Sequence, residues 1–238
     1  MNPKYSNCFA LCLWLCAGGA CQADVIANTF GPNDSYDPNQ FTGVSWNVQA
    51  SGSPYNIGFG AAVGFTVTNG PFELNSVTLA LGYLQDTNNV AISVLADNSG
   101  APGTLLETIV SHPADATNLY AVLTYQSSLH PILAGGGKYW LLVEPPDHNV
   151  MGTQNNSTYA WSASYDSVGP KAFRYFNFTS ENWDNWQLAN TLLPAFRVDG
   201  FSVPEPSALS SLLVGTLVWF RLRKRARSGQ PRLTSHWP

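Results

Sequence analysis

Four aromatic side chains are the residues of this sequence best suited to hold a ligand. Trp161 and Tyr165 stand on one face of an alternating run whose other face is Ala160, Ser162 and Ser164; Trp183 and Trp186 sit among Glu181, Asn182, Asp184 and Asn185. Flat indole and phenol rings stack on sugar rings and bring a polar N–H or O–H to the contact, so the set reads as glycan contacts. The competing reading places the same rings in a hydrophobic core, where large apolar side chains mostly go.

A reaction asks for more. Glycoside hydrolysis needs two carboxyls about 5 to 10 Å apart, and Glu144, Asp147, Asp166 and Asp184 supply only the scattered pairs of any acidic chain. His112, His130 and His148 are separated by 18 residues each time. None of these spacings is that of metal ligands, and a histidine base needs a partner to orient it. There is no HExxH, GxSxG or P-loop, and Gly58-Phe-Gly60 runs on to Gly64 with the wrong spacing for a dinucleotide fingerprint. The expectation is a chain that is not an enzyme. For a metal, Asn33-Asp34-Ser-Tyr-Asp37-Pro-Asn39 gathers hard oxygen donors in one loop, with Asp34 and Asp37 as calcium candidates against a simple Asx-turn cluster. No other cofactor is expected.

The elements that would position these residues are strands. Val77-Thr-Leu79-Ala-Leu81-Gly-Tyr83 and Val90-Ala-Ile92-Ser-Val94 alternate apolar with small or polar residues, the period of a half-buried strand. Further strands are expected at 44–48, 59–67, 104–110, 119–125, 138–144, 159–164, 172–178 and 194–201. Turns are expected at Gln85–Asn89 and Asp97–Gly103. No stretch of this region shows a helical apolar stripe. Many short strands with frequent turns point to an all-β fold, a single β-sandwich of jelly-roll type over 24–202.

Charge divides the chain. Between Asp24 and Ser202 only Lys138, Lys171, Arg174 and Arg197 are basic, against fourteen acidic residues, a net of −10. Nucleic acid is excluded as a partner, because phosphate binding requires a basic face. All four cysteines (8, 12, 16 and 21) precede this region, so no disulfide framework is expected within it. Residues 1–23, with Lys4, an apolar stretch from Cys8 to Cys16 and small residues up to Ala23, have the order of a secretory signal peptide.

The last segment, 203–227, has three parts: Val203-Pro204-Glu205-Pro206, an apolar run from Ala208 to Phe220, and the basic cluster Arg221, Arg223, Lys224, Arg225 and Arg227. The prolines keep the tetrapeptide extended. Thirteen helical residues reach about 20 Å against a hydrocarbon core of about 30 Å, marginal for a permanent span. The basic cluster would hold the C-terminal end, with 228–238, in the cytoplasm.

This order closely resembles the PEP-CTERM sorting signal of Gram-negative bacteria. The resemblance implies recognition and cleavage by an exosortase at the inner membrane, then release to the cell surface or extracellular matrix, in association with exopolysaccharide or biofilm. A second resemblance rests on Asn28–Tyr36, Leu81-Gly-Tyr83, Ala96-Asp97-Asn98 with Ala101–Glu107, Leu129-His-Pro131, Gly137–Leu141 and Pro194–Val198. Together these look like the choice-of-anchor exported domains, a resemblance that implies fold and export and carries no assigned reaction. The expected function is a non-enzymatic exported surface or matrix protein. The alternatives are a lectin-like carbohydrate-binding module at the same location and, behind it, a glycoside hydrolase.

Overall fold

The computed structural model describes residues 22–49, 56–85, 90–110, 121–144, 158–177 and 182–203. The expected leader up to Cys21, and the tail from Pro204 onward with its apolar run and basic cluster, lie outside the described residues. Contacts divide the chain between Ser202 and Val203. In the second unit the described residue is Val203, half-buried and outside any strand.

The first unit is built of thirteen antiparallel strands. They are β1 (Asp24–Asn28), β2 (Asp37–Gln49), β3 (Asn56–Thr66), β4 (Phe72–Gln85), β5 (Ala91–Asn98), β6 (Ala101–Val110), β7 (Ala121–Gln126), β8 (Ile132–Leu133), β9 (Lys138–Glu144), β10 (Thr158–Asn177), β11 (Asn182–Trp183), β12 (Gln187–Pro194) and β13 (Phe196–Ser202). Their order is β1-β13-β4-β10-β2-β3-β9-β5-β6, with β7 and β8 on β4 and β11 and β12 on β10. No α-helix occurs among the described residues, and none of their helices is long and apolar enough to cross a membrane.

The two strands expected at 159–164 and 172–178 are one, β10, and it makes the sheet curl. Its first half pairs with β2 and β4, its second half with β3 and β12, and the register breaks between Ala163 and Val168. A break of this kind bends a strand and raises its twist. The concave side holds the main core, with Ala61, Val63 and Phe65 of β3, Leu79 and Leu81 of β4, Leu141 and Val143 of β9, and Phe196 and Val198 of β13. Phe65 touches both Tyr139 and Phe196, at 5.8 and 6.2 Å between ring centroids. Alternate residues of β3 and β9, Ala62, Trp140 and Leu142, form a second cluster with Leu95 of β5 and Ala172 of β10, and Trp186 packs on it. Both faces of β3 and β9 are therefore covered, which period-two alternation permits.

The turn expected over Asp97–Gly103 is tighter than the sequence reading has it. Asn98 pairs with Ala101, leaving Ser99 and Gly100 as a two-residue hairpin loop. Their φ values of 55° and 90° are both positive, as hairpins whose turn follows the strand twist require.

Hydrogen bonds between segments distant in the chain hold the strands together. Thr29 Oγ1 donates to the Pro194 carbonyl at 2.8 Å and accepts from the Phe196 amide at 2.8 Å. Trp140 Nε1 donates to Asp97 at 2.7 Å. Glu107, 1% exposed, accepts from Ser127 Oγ at 2.6 Å, Ser128 N at 2.6 Å, Ser128 Oγ at 3.0 Å and Leu129 N at 3.0 Å. Burial alone would raise its pKa; the hydrogen bonds to the ionised form outweigh it and hold the carboxyl below its ordinary value. These hydrogen bonds tie β6 to the 127–131 loop and the end of β1 to β13.

Candidate functional site

The best-formed polar and aromatic cluster on the outer face centres on Arg174, a residue the sequence reading did not single out. Arg174 lies opposite Gly60 of β3, and Phe176 opposite both Gly58 and Trp183. Gly58, Gly60, Ala62 and Gly64 recur at period two, so one face of β3 is nearly bare. A Cβ at Gly60 would stand 3.2 Å from Glu144 Cβ and 3.6 Å from the Trp183 ring. Bare backbone there lets side chains from both neighbouring strands close over it.

Arg174 Nη2 donates to Glu144 Oε2 at 2.6 Å, with four-fifths of each side chain buried. Its guanidinium carbon lies 4.4 Å from the Trp183 ring centroid and 4.5 Å from that of Trp186. Cation–π contacts of this geometry add to a charge-assisted hydrogen bond, so the cation holds both indoles in place. Phe176 meets Trp183 edge-on at 5.3 Å, and the Asp184 amide donates to the Tyr175 carbonyl at 2.7 Å, shaping the turn between the two tryptophans. Both indoles are half-buried, with exposed Asp184 and Asn185 between them. The same outer face carries an open groove of about 300 Å³ lined by Trp140, Pro170, Lys171, Leu188 and Asn190. Burial lowers the Lys171 pKa, and its ammonium donates to Thr42 Oγ1 at 3.4 Å. Preorganised rings beside carboxylate, amide and ammonium groups are the chemistry that hydroxyl-rich ligands recognise.

Trp183 and Trp186 thus come together, whereas Trp161 and Tyr165 do not share a platform. Trp161 is fully buried in the main core and donates its Nε1 proton to the Ala195 carbonyl at 3.1 Å. Tyr165 is 53% exposed, within the stretch between Ala163 and Val168 where the register of β10 breaks. The break is the physical reason: alternation cannot be counted through it.

Of the sorting motif, Val203 is described, and Pro204, Glu205 and Pro206 lie outside the described residues, as do Arg221, Arg223, Lys224, Arg225 and Arg227. The calcium candidates are engaged otherwise. Asp34 accepts from Arg197 Nη1 at 2.7 Å; Asp37 accepts from the Asn39 amide at 2.9 Å and from Gln40 Nε2 at 3.1 Å. Among the described residues no three His, Cys, Asp or Glu side chains converge as metal ligands.

No family model and no curated protein matches the chain. Two solved structures do. One is a serine protease of Aeromonas sobria (10% identity, TM-score 0.28), covering 69% of this chain and 27% of that one. The other is an Aeromonas sobria serine protease in complex with a chaperone (12% identity, TM-score 0.29), covering 69% of this chain and 28% of that one. The chain therefore spans little more than a quarter of the length of the structures it matches. The sequence-based expectation that this chain is not an enzyme is corrected by these matches, both to serine proteases, and is not carried further. Likeness at this level transfers no protease chemistry either. His130 is the histidine among the described residues: its Nδ1 donates to the Leu74 carbonyl at 2.9 Å, while the Ser127 hydroxyl donates to Glu107.

Proposed function

We propose that the chain is an exported surface or extracellular-matrix protein, its strand region a jelly-roll-like sandwich, sorted through the inner membrane and cleaved by an exosortase. The observation that carries this reading is the order Val203-Pro204-Glu205-Pro206, apolar run and arginine cluster behind a leader-like N-terminal segment. An extended tetrapeptide above a span too short to be permanent is a segment suited to being cut. Expression in a host with and without an exosortase tests it. The expected result is loss of the arginine-bearing end only where the enzyme is present; an unchanged C-terminal mass in both hosts refutes the proposal.

A second reading, glycan binding at the cell surface, is favoured by the Trp183 and Trp186 pair held by Arg174. Exopolysaccharide is the ligand class that matches the proposed location. In polysaccharide pull-down, Trp183→Ala and Trp186→Ala are each expected to weaken retention about tenfold, the loss of one stacked ring. Retention equal to that of the unsubstituted chain sinks this reading and leaves the sorting proposal standing.

A further inference from the structure

The chain enters β1 and leaves β13 at the same end of the sheet. Asp24 pairs with Gly200, and the last pair of β13 is Ser202 with Phe72. At that end β8 lies on the start of β4, Leu133 opposite Phe72. The Gly136 amide donates to the Val67 carbonyl at 2.7 Å and the Val67 amide to the Gly137 carbonyl at 3.0 Å. Residues 67–72, 131–138 and 200–202 therefore make one pole.

Its composition is unlike the rest of the strand region. Where the whole carries −10, these three segments contain one charged side chain, the exposed Lys138, with Asp24 and Glu73 at the margin. Ile132 is 54% exposed, and neighbouring Leu129 69%. Opposite lies the Arg174 cluster. β9 runs from Lys138, paired with Thr66, to Glu144, and six steps at about 3.4 Å carry the chain about 20 Å.

Five residues, Val203 to Ser207, separate β13 from the apolar run that begins at Ala208. Fully extended they reach about 17 Å. A bilayer that takes up the apolar run therefore lies within that distance of this pole, and the pole is where like-charge repulsion from anionic headgroups is least.

We infer that this pole is a surface that rests on the lipid headgroups, and that the sheet thereby holds the Trp183–Arg174–Trp186 cluster on the side facing away from the bilayer. The inference rests on the tail acting as a membrane segment, and its test separates the two. The full chain carries Cys8→Ser, Cys12→Ser, Cys16→Ser and Cys21→Ser, so that a fluorophore can be placed uniquely at Ile132→Cys, Asn69→Cys or Asp184→Cys, all exposed positions. It is reconstituted in vesicles of phosphatidylethanolamine and phosphatidylglycerol doped with a headgroup-nitroxide lipid. Emission from positions 132 and 69 is expected to fall by roughly half and that from 184 to stay unchanged, as contact with the headgroup layer on one side dictates. Chain that sediments with the vesicles while 132 and 69 stay bright overturns the resting surface and leaves the tail reading intact. Chain that stays in the supernatant overturns both.

Discussion

Replacing Glu107 by Gln lowers the unfolding free energy by about 3 kcal/mol at neutral pH, and the loss shrinks in acid. The carboxylate takes four hydrogen bonds from Ser127, Ser128 and Leu129 in a site closed to solvent. Gln keeps one carbonyl oxygen, but its amide nitrogen meets donors, so part of the set is left unpaired in the interior. Charge-assisted bonds are about twice as strong as neutral ones, which makes the loss larger than that of an ordinary hydrogen bond. The pH dependence follows from the lowered pKa. Because the folded-state pKa lies below the unfolded one, the contribution is complete above the ordinary carboxylate range. It is lost as pH falls through the folded value. Urea denaturation at a series of pH values checks this. A difference between the two proteins that persists unchanged well below pH 4.5, the ordinary value, shows that the ionised carboxylate is not what holds the 127–131 loop.

Trp161→Ala costs about 3 to 5 kcal/mol, the range for deleting a fully buried large ring. Two losses combine: a cavity in the main core, and an Ala195 carbonyl deprived of its indole donor. Trp183→Ala and Trp186→Ala, at half-buried positions, are expected to cost less and to show their effect in ligand retention. Equilibrium unfolding of the three variants makes the comparison. If Trp161→Ala is no more destabilising than the other two, the placement of the Trp161 ring in the core is wrong.

The contrast among these tryptophans shows where sequence reasoning stops. Trp183 and Trp186, set among Glu181, Asn182, Asp184 and Asn185, read as loop-borne and exposed, yet both are half-buried; nothing within a few residues of Trp161 tells that its ring is enclosed. Trp161 is enclosed because the first half of β10 lies between β2 and β4, whereas Trp183 belongs to the two-residue strand β11 at its far end. Arg174 was passed over for a related reason: its partners, Glu144, Trp183 and Trp186, come from other segments of the chain. The one local signal was the small-residue row Gly58, Gly60, Ala62 and Gly64, whose period of two marks a strand face left open for neighbours.

Strand identity was legible because it is local. Alternation and turn residues placed β4, β5 and β9 within a few residues of where they lie, and for β9 the bounds coincide at Lys138 and Glu144. The charge division was equally plain, since composition needs no partner. What composition and period could not supply were β1, β8, β11 and β12, which are short or polar and become strands by pairing with a longer neighbour. The union of two expected strands into β10, and which of two apolar faces turns inward, also belonged to the tertiary structure. Both faces of β3 and β9 carry side chains that can be buried, so only the curl of the sheet chooses between Tyr139 and Trp140 for the main core. That choice is made by contacts between residues distant in the chain, and a local pattern cannot contain it.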